Sequence, residues 1–234
     1  VENPKWLILT ALRIEAKAVA GAFSTKFPAS ATQIPLASTA GPVEIHLIAM
    51  RAARLPVDAF RKDLQGVILA GLAGGLDPRL HPGDVVVEAP GGIELNKIPQ
   101  TKIFQIEIPG NKVYAGKIHG SDRIIGTPTE KTDLFHQTAA LAVDMESHIV
   151  RRQCELLGIP FWCIRGISDS AEQHLPVDFA KWIDDTGQIK PSALIKGIAS
   201  KPSNIPELIR LGKASNLAAR NMARVVFETL NAKE

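Results

Sequence analysis

The chain is poor in cysteine, poor in aromatic residues and nearly balanced in charge, and each shortage closes off a class of function. Its 234 residues hold two cysteines, Cys154 and Cys163. Two thiols, one on a predicted helix and one in a predicted strand, make neither a disulfide framework for a chain of this size nor a metal-ligand spacing. Both are expected as reduced core thiols, with no metal. Aromatics are 5% of residues and the net charge is +3. The basic residues are scattered, with no run longer than Arg151-Arg152, so the charge density and stacking platforms that nucleic acid requires are missing. The longest nearly uncharged apolar run, Val67 to Leu76, is about half the ~20 residues a membrane span needs. The opening residues, with Pro4 and Trp6, lack the pattern of a secretory signal. The expectation is a cytoplasmic protein with no membrane span and no nucleic-acid partner.

What is present is the balance of a globular α/β protein: 45% apolar and 22% charged residues, in a length that suits one domain over residues 1–234. Lys5 to Ala11 reads as a buried strand, followed by a helix over Glu15 to Phe23. Val43 to Met50 reads as a strand preceded by a Gly41-Pro42 turn, consistent with a hairpin. A helix is expected around Val57 to Leu64, and a strand over Val67 to Ala70. The loop expected after that strand, Gly71 to Pro78, has glycines that permit positive φ and close approach of backbone amides to a ligand. Residues Glu88 to Ile118 predict irregular structure with short strands. Further helices are expected at Ser192 to Ala199 and, as one long amphipathic element capped by Ser203 or Asn204, at Ile205 to Leu230. No repeat, linker or low-complexity segment interrupts the chain.

Ala142 to Asp169 organises the rest. It reads as strand end, helix and strand, with Ile149, Val150, Cys154 and Leu157 on one helical face and Gly158 and Pro160 ending the helix. Such a crossover puts the carboxyl ends of its strands on one sheet edge, where open α/β folds bind ligands. Glu146 and Asp169 both fall on that edge. Taken singly they are a helix-start acid and a turn residue, and Glu15 is an acid in the first turn of a helix that satisfies the macrodipole. Arg51 and Arg54 read as solvated surface cations, with anion binding as the alternative.

The combination VDMES, then GIPF, then IRGISD, together with GLAGGLDP and PGDVVV, resembles the nucleoside phosphorylase and nucleosidase superfamily. The resemblance spans nearly the whole chain, and the tail resembles a branch associated with hopanoid synthesis and thought to act on adenosylhopane. It implies a mixed twisted β-sheet flanked by helices, a small-molecule nucleoside as partner, a homo-oligomer, and no cofactor beyond phosphate as an optional co-substrate. By the same resemblance, Asp169 protonates a purine at N7 and Glu15 activates water. Glu146 binds the 2′ and 3′ hydroxyls, with Met145 beneath the ribose. Ala73, Gly74 and Gly75 border the pocket, and Ile124 and Ile125 lie by the base, where two core isoleucines are the competing reading. A general acid at Asp169 implies a raised pKa, expected from burial near an ionised Glu146. The glycine-rich turn that many members have after the second strand is absent, and Leu72 stands where a small polar residue is usual. Both departures favour water over phosphate as nucleophile. A pocket that binds a nucleoside without cleaving it is the alternative of another class.

Overall fold

The computed structural model describes residues 3–90, 106–175 and 205–231. Its spine is β4 (Gly66–Gly75), a run of small and branched apolar residues buried on both faces. Such a run suits a central parallel strand, which has no solvent side and therefore no polar alternation. β4 lies between β1 (Trp6–Thr10) and β9 (Phe161–Asp169), parallel to both. On one side β1 pairs in parallel with β3 (Gly41–Leu47), which forms an antiparallel hairpin with β2 (Gln33–Ser38). The hairpin expected at Gly41-Pro42 is there, with Gly41 at φ +107°. On the other side β9 pairs antiparallel with β5 (Val85–Glu88), which pairs in parallel with β6 (Val113–Ala115). The end of β4 leaves β9 through an irregularity at Ala73/Gly74 and pairs antiparallel with β8 (Ala142–Asp144), itself parallel to β7 (Ile118–Gly120). The result is the mixed sheet of the expected fold class.

Helices cover both faces. α1 (Arg13–Ala22) and the long α4 (Ile205–Asn231) pack on one face, and α3 (Ser147–Leu157) on the other. Side-chain alternation in β1 shows the division: Ile8 joins the α4-side core with Ile45, Ile68 and Val226, while Leu7 and Leu9 join Leu69, Val150 and Cys154. α2 (Pro128–Thr138) closes one end, with Pro128 in its first turn and Thr127 and Glu130 capping each other. Among the described residues no helix is long and apolar enough to cross a membrane. Both cysteines are buried in the core, where burial raises the Cys154 thiol to about 12.

Two expectations change. The helix at Val57 to Leu64 is one 3-10 turn, Val57–Ala59, because Phe60 turns extended so that it and Leu64 can enter the core, leaving Val57 exposed. A segment this short has little intrinsic drive to stay helical. Gly71 to Gly75 is not a loop but the second half of β4, with no positive φ at any of its glycines. The helix at Ser192 to Ala199 and the caps at Ser203 and Asn204 lie outside the described residues.

The reason for one of the fold's glycines is contact with α4. A Cβ on Gly166 would stand 2.3 Å from the Ala218 carbonyl oxygen, and backbone does not swing aside as a flexible side chain does. Asn221 fixes the same helix by donating to the Gly83 carbonyl at 2.7 Å. Gly166→Ala is therefore expected to lower stability by about 1–3 kcal/mol through overpacking. In a chain of this size that lowers Tm by roughly 2–12 °C. Differential scanning calorimetry checks it, and an unchanged Tm would mean that α4 shifts freely on the sheet.

Candidate active site

The carboxyl ends of β1, β4, β8 and β9 open on one cavity of about 650 Å³. Glu15, Met145, Glu146 and Asp169 line it, with Ala73, Gly74, Ile124 and Ile125. Gly75 does not: it pairs with Ala142 in the sheet, and a Cβ there would meet the Asp169 carbonyl, so its role is packing. Gly74 has the more direct part, because a Cβ on it would press 3.2 Å from Asp169 Oδ2. The glycines thus make room for side chains and do not supply free amides. Ile125 serves both readings, facing the cavity while packing with Leu76, Ala140 and Val143.

Glu15 is at the third position of α1 and is buried. Oε2 accepts the amides of Ala11 (2.9 Å) and Leu12 (2.8 Å), and Oε1 that of Leu72 (2.8 Å). An ionised carboxylate offers about four acceptor positions, so these three bonds leave room for one more donor. Burial pushes its pKa up, against the lowering effects of Arg165 and the three amides. That combination suits a base facing a water molecule.

Glu146 stands at the N-cap of α3, where Oε1 accepts the Arg51 amide (3.0 Å) and Oε2 lies 3.2 Å from Arg165 Nη2. Burial raises its pKa to about 7, opposed by Arg165 and reinforced by Asp144 and Glu15. Burial does not simply leave Glu146 ionised, as the resemblance has it: desolvation beside Asp144 and Glu15 works against its charge and Arg165 works for it. Nor is Glu146 the charged neighbour of Asp169. That neighbour is Lys131 on α2, fully buried, with Nζ 2.6 Å from Asp169 Oδ2. Oδ1 accepts the Ser168 hydroxyl at 2.6 Å.

Sequence reading also missed Asp144 and Arg165. Arg165 is wholly buried in β9; Nε donates to Asp144 Oδ2 at 2.8 Å, Nη2 faces Asp144 and Glu146, and Nη1 has no hydrogen-bond partner. Gly71 exists for it, since a Cβ there would meet Nη1 at 2.0 Å and Glu15 Oε1 at 2.9 Å. Asp144 Oδ1 meanwhile accepts the amide and hydroxyl of Ser147, anchoring the start of α3. A lone arginine inside an apolar strand was a legible signal, because a buried guanidinium demands carboxylate partners.

The turn after β3, without glycine, nonetheless adopts glycine's conformations: Ala49 has φ +60° and ψ +170°, and Arg51 φ +53° and ψ +28°. Such backbone costs of order 1–3 kcal/mol per residue and persists where surroundings over-determine it. Here the Arg51 amide is held by Glu146. The side chains of Arg51 and Arg54 are both exposed.

Comparison with known proteins adds findings of three kinds. A sequence profile of the phosphorylase superfamily matches residues 100–200. The 5′-methylthioadenosine/S-adenosylhomocysteine nucleosidase of Pseudoalteromonas translucida is 30% identical over 176 residues, 64% of this chain and 73% of that protein. Its counterpart from an Exiguobacterium strain is 26% identical over 172 residues, 63% and 72% of the two chains. In overall fold the chain is similar to the Colwellia psychrerythraea nucleosidase solved in complex with adenine, with a TM-score of 0.67 at 19% identity over 98% of this chain and 95% of that one. It is similar too to futalosine hydrolase of Helicobacter pylori, with a TM-score of 0.61 at 17% identity over 96% of each chain.

Proposed function

The chain belongs to the phosphorylase superfamily, and from that premise we propose that it hydrolyses the N-ribosidic bond of a 5′-substituted adenosine and releases adenine. It is an enzyme that cleaves nucleosides. The observation that carries hydrolysis is Glu15, a buried carboxylate with a raised pKa and one acceptor position left, facing the cavity. Cleavage passes through a cationic sugar, so the site needs a proton for the leaving base, a negative charge near the sugar and a nucleophile. In this reading Asp169 serves the base, Glu146 the sugar hydroxyls and cation, and Glu15 takes a proton from the attacking water. Met145 packs under the ribose, and Ile124 and Ile125 border the purine.

Phosphate fits less well. An incoming anion needs free amides or cations. The Arg51 amide is engaged by Glu146, Gly74 and Gly75 are paired in the sheet, and three carboxylates surround the buried Arg165 guanidinium. Two relatives named as nucleosidases point the same way.

The 5′ group is read as long and apolar, in line with the resemblance of the tail to the branch acting on adenosylhopane. Leu12, Leu72 and Leu175 line the cavity together with Leu208 and Leu211 of α4, so the tail helix forms a pocket wall as well as packing on the sheet. Efficient cleavage of methylthioadenosine together with exclusion of long alkylthio-adenosines would overturn that extension.

The test of the nucleophile follows adenine release in phosphate-free buffer. Wild type is expected to turn over and to yield free ribose product, and Glu15→Gln to lose about 10²-fold in kcat, the low end for a general base. Release that requires phosphate and gives a ribose-1-phosphate product, with little loss in the variant, would replace hydrolysis by phosphorolysis. Binding without release in either buffer would leave only a nucleoside-binding protein.

A further inference from the structure

Lys131 has no place in the chemistry so far, yet among the described residues it is the one lysine in the buried charged set. Its ammonium donates to Asp169 Oδ2 (2.6 Å), to the Ser170 carbonyl (2.7 Å) and to the Gln173 carbonyl (3.0 Å). An ammonium has three N–H donors and these acceptors engage all of them. Lys131 does not line the cavity, so it acts only through what it holds. Packing does not account for it, because apolar residues of similar volume often replace a buried ion pair without loss of stability.

What it holds is specific. One carboxylate oxygen of Asp169 is fixed by Lys131 and the other by Ser168, with Gly74 leaving room alongside. The two carbonyls belong to the turn that leaves β9 and leads to Leu175, a wall of the cavity whose amide is bonded to the Gly126 carbonyl at 2.8 Å. A single side chain from α2 therefore locks the acid and the wall beside it into one unit.

We propose that Lys131 is a positioning residue of the cleavage reaction, which fixes the Asp169 carboxyl toward the leaving base without touching the substrate. The inference rests on the nucleosidase reading. It makes Lys131 matter only where the leaving group needs Asp169. A p-nitrophenyl riboside, whose phenolate departs without a proton, bypasses that need.

The experiment compares a cleaved 5′-substituted adenosine with p-nitrophenyl riboside in Lys131→Met, Lys131→Arg, Asp169→Asn and the Lys131→Met/Asp169→Asn double variant. For the adenosine, Lys131→Met is expected to lower kcat by about 10²-fold, within the range of general acid catalysis, with KM changed less than about threefold. Lys131→Arg, which keeps charge and donors in a different geometry, is expected to recover about tenfold of that loss. The double variant is expected to be no slower than Asp169→Asn alone, since two residues acting as a unit are not additive. Turnover of the nitrophenyl riboside by Lys131→Met and Lys131→Arg is expected to stay within about threefold of wild type. Losses that multiply in the double variant, equal loss on both substrates, or an unchanged kcat in Lys131→Met would each overturn the proposal. If Lys131→Met does not fold, Lys131→Arg carries the comparison, with a fall of about tenfold on the adenosine alone supporting the proposal and unchanged or parallel rates overturning it. A wild type that releases no adenine with or without phosphate defeats the functional reading and this inference together. Wild-type release undiminished in Lys131→Met, with Asp169→Asn impaired, defeats this inference alone.

Discussion

Arg165→Met is expected to be the most damaging single substitution in the chain, lowering stability by about 3–5 kcal/mol and kcat by about 10³-fold in whatever fraction still folds. Among the described residues, Arg165 is the only cation set among Glu15, Asp144 and Glu146, all buried. With it in place, the guanidinium holds Asp144 and Glu146 by direct contacts and opposes the upward push of burial on Glu15. Methionine fills the volume and leaves three carboxyl groups repelling one another at low dielectric. The sign of the pH response follows. Carboxyls whose folded pKa is raised contribute stability that is present below their unfolded value and lost as pH rises through the folded one. Removal of the cation raises Glu15 and Glu146 further, so the Tm deficit of the variant is expected to shrink as pH falls from 8 to 5. Thermal melts across that range measure it. A deficit that is constant with pH, or smaller at pH 8, would show that Arg165 acts by packing and not by charge.

The same cluster shows what the sequence could and could not disclose. β1, the hairpin, β9 and α4 were legible because each carries its own local pattern: an apolar run, a Gly-Pro turn or a helical stripe. The loop expected over Gly71 to Pro78 is strand as far as Gly75, for a physical reason. Glycine in a strand and glycine in a turn look alike until the partner is known, and here the partners are Arg165 for Gly71 and Asp169 for Gly74. Glu15, Glu146 and Asp169 could be named from the resemblance of their motifs, yet their long-range partners could not, since Leu72, Arg51, Arg165 and Lys131 lie far from them along the chain. Lys131 gave no signal at all. In Thr127 to Thr138 it reads as one more charge on a polar helix, and only the packing of α2 over Asp169 makes it the buried one.

Glu146→Gln is expected to lower kcat/KM by about 10³-fold above pH 7, the scale of losing one preorganised charge opposite a developing cation. The amide keeps the shape and one acceptor for the Arg51 amide, but it presents N–H donors where Arg165 and the sugar hydroxyls want an acceptor. The pH dependence is the sharper part. With its pKa raised to about 7, Glu146 of the free enzyme is largely neutral at pH 6 and ionised at pH 8. Wild-type kcat/KM is therefore expected to rise through pH 7, and the variant to lose that limb. Stability moves the opposite way. The folded carboxyl binds its proton more tightly than the ordinary 4.5 of the unfolded chain, so its contribution is complete below about 4.5 and lost as pH climbs to about 7. Wild-type Tm is expected to fall over that window and the Gln variant to flatten it. Activity and stability thus trade against each other at one carboxyl, ionised for the reaction and more comfortable neutral. A wild-type kcat/KM that is flat from pH 5.5 to 8, or a variant that keeps the wild-type preference for ribosides over 2′-deoxyribosides, would remove Glu146 from the sugar site.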